Sequence, residues 1–159
     1  MSATAPTFFA ETIEQLKLYV RQTAWLNTVP EKAKKPRRDT VGGSLPQISA
    51  GAHLLNILFD LGPVKPMAMS SPVAIDEMDL WAWQFNRHVR LRPFETETIR
   101  ELSRVYAAQL IEAQDKSCPP PYFPANAIDD ERRKKISDAM SGFADKLNAQ
   151  RKVSVDKNR

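Results

Sequence analysis

Histidine, cysteine and glycine are scarce in this 159-residue chain, and each scarcity excludes something. Two histidines, His53 and His88, and one cysteine, Cys118, cannot complete a tetrahedral zinc site without carboxylates, and no local spacing brings those in. A lone cysteine also rules out an internal disulfide, which suits a reducing compartment. Far in sequence from either histidine, it has no base to activate it. Five glycines against twelve prolines argue against a sandwich or barrel built on Gly-rich turns. No run approaches the roughly 18 apolar residues of a membrane span, and the first residues lack a basic segment leading into an apolar one. These absences set the expectation of a soluble protein of the cytoplasm, with no membrane partner. Neither a Walker A sequence nor GxGxxG is present. Catalytic, cofactor and metal-ligating candidates are all lacking, and the expectation is a binding protein, not an enzyme.

What is present is helical periodicity cut by prolines. Phe9, Ile13, Leu16 and Val20 mark a helix in the segment 1–26. Residues 27–48 have no apolar period and read as a flexible basic linker containing Pro36, Gly42-Gly43 and Pro46. Residues 49–125 form the expected helical core. A helix over 49–61 takes Ser49 as N-cap, buries Leu54, Leu55, Leu58 and Leu61, and stops at Gly62-Pro63. Another over 74–87 carries Asp76, Glu77 and Asp79 at its positive end, which the helix dipole explains without paired-carboxylate chemistry. A third begins at Pro93 and shows the clearest stripe, Ile99, Leu102, Tyr106, Leu110 and Ala113. Cys118-Pro119-Pro120-Pro121 ends it. Residues 126–150 make a final amphipathic helix on Ile136, Met140, Phe143 and Leu147, and 151–159 a polar tail. The expected fold is all-α: about five short helices, Pro-rich connections and one flexible basic loop.

The charge is local. Of 23 bases and 19 acids, five bases and one acid fall within 31–38, leaving 18 of each elsewhere. Lys32, Lys34, Lys35, Arg37 and Arg38 therefore read as a polyanion-binding arm, an arm for an acidic partner, or a solvated loop. Deleting 32–38 is expected to leave stability unchanged. Trp81 and Trp83 lie about 200° apart on a helix, so both cannot share one narrow stripe. With Ile75, Met78, Trp81 and Phe85 on the core side, Trp83 becomes the exposed partner-binding anchor, joined by Met67 and Met69 in the preceding connection. The alternative is that neighbouring segments cover both tryptophans.

The order of elements in this core resembles a group of small proteins from tail-gene clusters of siphophages and prophages, the tail assembly chaperones and their companions. The resemblance rests on Gly62-Pro63, Met67 to Met69, Trp83-Gln84, Leu91-Arg92-Pro93-Phe94-Glu95, Leu102-Ser103-Arg104-Val105-Tyr106 and Cys118-Pro119-Pro120-Pro121-Tyr122. It covers about 70 residues. It implies a non-enzymatic factor in the host cytoplasm that binds the aggregation-prone tape-measure protein, or other tail proteins, during tail morphogenesis, and that can self-associate. The competing expectations are a phage virion component or adaptor, and a nucleic-acid-binding regulator using residues 31–38.

Overall fold

The computed structural model describes residues 5–67 and 71–124, together with positions 134, 137, 138, 140 and 141. Among these residues there are five helices and no strand: α1 (Ala5–Asn27), α2 (Arg37–Thr40), α3 (Ala52–Leu61), α4 (Glu77–Arg87) and α5 (Pro93–Glu112). The only β-type pairing among them is an isolated antiparallel bridge between Lys65 and Val73. The all-α class expected from periodicity is what the structure has. The five helices are not the five expected, because α2 lies inside the supposed linker. Of the expected C-terminal helix, positions 134, 137, 138, 140 and 141 are described and helical; Met140, expected on its apolar stripe, is 69% exposed, and Ile136, Phe143 and Leu147 lie outside the described residues. The chain divides into units Met1–Tyr122 and Phe123–Arg159, and the first holds all five helices.

The core is made where α1 lies along α5, with α3 packed beside α5. Leu16, Val20 and Ala24 recur at four-residue spacing on α1 and are fully buried. They meet Ile99, Leu102 and Tyr106 of α5 and Leu54, Leu55 and Leu58 of α3 in one apolar cluster. The expected centre, Leu58, Ile99, Leu102 and Tyr106, is thus inside. Phe9 is not: it stays 46% exposed and meets Phe94 edge-on, with centroids 5.1 Å apart.

The start of α3 differs from expectation for a packing reason. Ser49 does not cap it; its hydroxyl donates to Gln15 Oε1 at 2.8 Å. Gly51 takes the N-cap position with φ of 80°. A side chain there would be strained twice over, since a Cβ would also stand 2.8 Å from Leu16 Cδ1. The helix accordingly begins at Ala52.

α5 starts as its sequence predicts. Pro93 occupies the first turn, and the Glu95 carboxylate accepts the Arg92 N–H at 2.8 Å. Its one fully buried hydroxyl, on Ser103, donates to the Pro63 carbonyl at 2.6 Å and accepts the Ile75 N–H at 2.9 Å. These two bonds fasten both ends of the α3–α4 connection to α5. Between them the Lys65–Val73 bridge closes the connection, with N···O distances of 2.8 and 3.2 Å.

Two substitutions test this account. Leu102→Ala removes a fully buried side chain and should destabilise by about 2–5 kcal/mol in urea unfolding. Ser103→Ala leaves an amide and a carbonyl without their partner, and should cost about 1–3 kcal/mol. A loss below about 0.5 kcal/mol in either case, as at surface sites, would contradict the packing described.

Candidate functional site

α4 begins with an Asp cap. Asp76 Oδ1 accepts the N–H groups of Met78 (2.9 Å) and Asp79 (3.1 Å), and Asp79 Oδ2 accepts the Asp76 N–H at 2.8 Å. Lys65 reaches both carboxylates, at 2.6 and 2.9 Å. The hydrogen bond from Lys65, followed by the backbone donors, lowers the Asp76 pKa from 3.8 to about 2, and the same contacts raise that of Lys65. The helix therefore starts at Glu77 and not at 74, and Ile75 is buried ahead of its first turn.

Only Leu80 is buried on α4. Polar ties on the same side complete the anchorage. Trp83 Nε1 donates to Asp60 Oδ2 at 2.8 Å, and Arg87 pairs with the same carboxylate at 2.8 Å. The Arg87 guanidinium also lies over the Trp83 ring. Gln84 accepts the Leu91 N–H at 2.8 Å and so fixes the turn into α5. That turn passes through His88, a left-handed C-cap with φ of 52°.

The opposite face is apolar and open. Met78, Trp81 and Phe85 follow one another at three- and four-residue spacing and are 67%, 58% and 65% exposed. The Trp81 and Phe85 rings stack with centroids 5.5 Å apart and planes 19° from parallel. A groove of about 560 Å³ runs beside them, lined by Trp81, Gln84, Phe85, His88, Val89 and Arg90.

This reverses the expected assignment. Trp83 is half-buried and hydrogen-bonded, while Trp81, Phe85 and Met78, expected in the core, point to solvent. Periodicity did locate the stripe, but it gave no direction. The acceptor that holds Trp83 inward is Asp60, on another helix and 23 residues away in sequence. Met67 is exposed, as a contact residue needs to be, and Met69 lies outside the described residues.

The basic segment is also corrected in part. Lys32, Lys34, Lys35 and Arg38 are exposed, and Arg38 bonds to the side chain of Asn27. Arg37 is buried, at 4% exposure. Its guanidinium donates to the carbonyls of Ala113 (2.8 Å), Asp115 (2.6 Å) and Lys116 (3.5 Å), and sits 4.7 Å from the centre of the Trp25 ring. The end of α5 presents carbonyls without helical partners and the negative end of the dipole, and Arg37 answers both. Residues 27–48 are consequently not a free linker, and Arg37 is not a polyanion ligand. The Arg37 N–H and the Glu31 N–H tie the backbone down as well, to Thr28 and Gln114 carbonyls.

The remaining reactive side chains lie apart from the open face of α4. Cys118 is half-buried, and its carbonyl accepts Trp25 Nε1 at 3.0 Å. His53 Nε2 lies 3.3 Å from Glu95. Among the described residues, no three His, Cys, Asp or Glu are grouped to hold a metal, and no helix is long and apolar enough to cross a membrane.

Arg37→Met should destabilise the fold by about 1.5–3 kcal/mol, the range for charge-assisted bonds, with Lys34→Ala and Lys35→Ala within about 0.5 kcal/mol of wild type. Equal, small effects for all three in chemical unfolding would restore the free-linker view. The second test is pH. Because folding depresses the Asp76 pKa, its cap is fully effective above the ordinary value of 3.8 and is lost as pH falls through about 2. Carboxyl NMR titration should find Asp76 ionised at pH 3, and amide protection at the start of α4 should fall below that. A midpoint near 3.8 would remove the cap from the account.

No protein-family model, curated protein or solved structure matches the chain, so function is read from its own surface.

Proposed function

We propose that this chain is a non-enzymatic tail assembly chaperone-like factor that holds an apolar segment of a phage tape-measure protein through the open face of α4. The observation that carries the reading is the stacked Trp81–Phe85 pair flanked by Met78, standing exposed on a helix whose other side is fixed to the body. A contiguous aromatic face of this kind is the usual make-up of a binding hot spot, and an amphipathic helix laid against it would exclude water from all three side chains. Rigid anchorage of α4 through Leu80, Trp83 and Arg87 limits the ordering cost on binding. The motif order described above supports the tail-assembly context. A nucleic-acid-binding role has one supporting observation, the exposure of Lys32, Lys34, Lys35 and Arg38 together, and it demands a gel shift that weakens steeply with salt.

Co-expression with tape-measure fragments, followed by affinity capture, tests the proposal. Wild type should retain an apolar fragment. Trp81→Ala/Phe85→Ala should lose about 2 kcal/mol or more of binding, roughly 30-fold, while keeping its thermal midpoint because both rings are exposed. Trp83→Ala should instead lower stability, since Asp60 and Arg87 lose a shared partner. Failure of wild type to bind any tail-protein fragment would remove the chaperone assignment. Unchanged capture by the double variant would move the site elsewhere.

A further inference from the structure

The groove beside α4 has a sign. Trp81, Phe85 and Val89 give it apolar walls, His88 and Arg90 line it as well, and no carboxylate among the described residues does. Its sixth lining residue, Gln84, is engaged by the fold: it accepts the Leu91 N–H and donates to the Leu80 carbonyl. Arg90 is exposed. Arg21, Arg37, Arg38, Arg87, Arg100 and Arg104 each donate to an acceptor within the protein, and Arg92 has the Glu95 charge beside it. Arg90 alone among the described arginines has neither an acceptor nor an ion-pair partner.

The other charges of this region leave that guanidinium uncompensated. Glu95 is engaged by the Arg92 N–H and by His53. Glu77 opens α4, eight residues before Phe85 and so about 12 Å away along the axis. The negative end of α4 and the positive end of α5 are separated only by residues 88–92, and they oppose each other. Arg90 therefore sets the sign of the groove, and a guanidinium stays ionised at any working pH.

We infer that the segment received by this face carries a carboxylate beside its apolar residues, and that Arg90 selects it. The occupant is an amphipathic helix of the partner. Its apolar stripe lies on Trp81, Phe85 and Val89, and an Asp or Glu three or four residues further along the same side pairs with Arg90. A wholly apolar helix covering the groove would take water from an unpaired guanidinium, and a basic one would be repelled. A carboxylate replaces that water with two parallel hydrogen bonds from a planar fork. A membrane surface fits less well, because anionic lipid is held by clusters of bases and one free arginine lines this groove. The inference rests on reading the α4 face as the docking site and adds the chemistry of what docks there; it does not depend on which tail protein supplies the segment.

Three labelled synthetic helices test it, alike in a leucine stripe and differing only at the position one turn beyond it, which is Glu, Gln or Lys. Fluorescence anisotropy against the full chain should rank their affinities Glu, Gln, Lys, with about fivefold between the first two. Arg90→Gln should make the Glu and Gln peptides equal, and Arg90→Glu should put Lys first. Lys34→Glu changes the net charge by the same amount and should keep the wild-type order. Trp81→Ala/Phe85→Ala should weaken all three about 30-fold, and thermal midpoints check that every variant is folded. Equal binding of the Glu and Gln peptides by wild type, an order that Arg90→Glu leaves unchanged, or an order that Lys34→Glu reverses would overturn the acid selection, even where the double variant still loses the peptides. Binding of none of the three would overturn it together with the docking face, while the tape-measure assignment is decided separately by fragment capture. Displacement of the Glu peptide from wild type, but not from Arg90→Gln, by phosphatidylglycerol vesicles would overturn it by assigning the groove to lipid.

Discussion

A single buried hydroxyl holds the connection that carries α4. Ser103 lies fully buried in the middle of α5, where an unpaired polar group would cost about 1–3 kcal/mol. Its hydrogen goes to Pro63 and its lone pair to the Ile75 amide, so both ends of the connection are fixed to one point on α5. Ile75 is thereby drawn into the core, and Asp76 is placed to cap α4. From that start the helix can turn only one side to the body. Leu80 takes the buried position, and Asp60 holds Trp83 and Arg87 beside it. The outward direction of Met78, Trp81 and Phe85 is a consequence of these bonds.

The same bonds involve several of the sequence motifs singled out above. Pro63 is the acceptor for Ser103, and Ser103 stands inside the Leu102-to-Tyr106 motif. Trp83 and Gln84 bond to Asp60 and Leu91; Leu91 and Glu95 belong to the motif that starts α5. Cys118 accepts from Trp25. Pro63 with Ser103 and Gln84 with Leu91 meet across the fold, and Trp83 and Cys118 tie to Asp60 and Trp25, which gives these residues a structural role. They specify architecture. The aromatic face that could contact a partner lies between them, at Met78, Trp81 and Phe85, and uses none of the motif positions except by adjacency.

Much of the architecture was legible because stripes of Leu and Ile leave little choice of direction: Leu16 and Val20, Leu54 and Leu58, Ile99 and Leu102 all face inward as their spacing requires. α4 was harder, because its two sides hold comparable aromatic content and the deciding partner, Asp60, lies on α3. The basic segment failed for a related reason. Five bases in eight residues look solvated when only composition is considered. One of them, Arg37, meets the carbonyl-rich end of α5 across 76 residues of chain, a long-range complement that no local pattern encodes. Gly51 displaced Ser49 as the cap because Leu16 on α1 leaves no room for a Cβ.

An open aromatic face carries an aggregation hazard, and its size decides how that hazard is met. Monomeric proteins commonly carry a largest apolar patch of about 300–600 Å², often a functional one. The exposed α4 face, Met78, Trp81 and Phe85, falls in that range. Had Trp81 and Phe85 turned inward with Leu80, as their spacing alone allowed, α4 would have a larger core and nothing to offer. Holding the helix by Asp60, Trp83 and Arg87 instead uses directional polar bonds on one side and keeps apolar area free on the other. Such an arrangement leaves the exposed side with no part in holding the helix, because Leu80, Trp83 and Arg87 fix it from the other side.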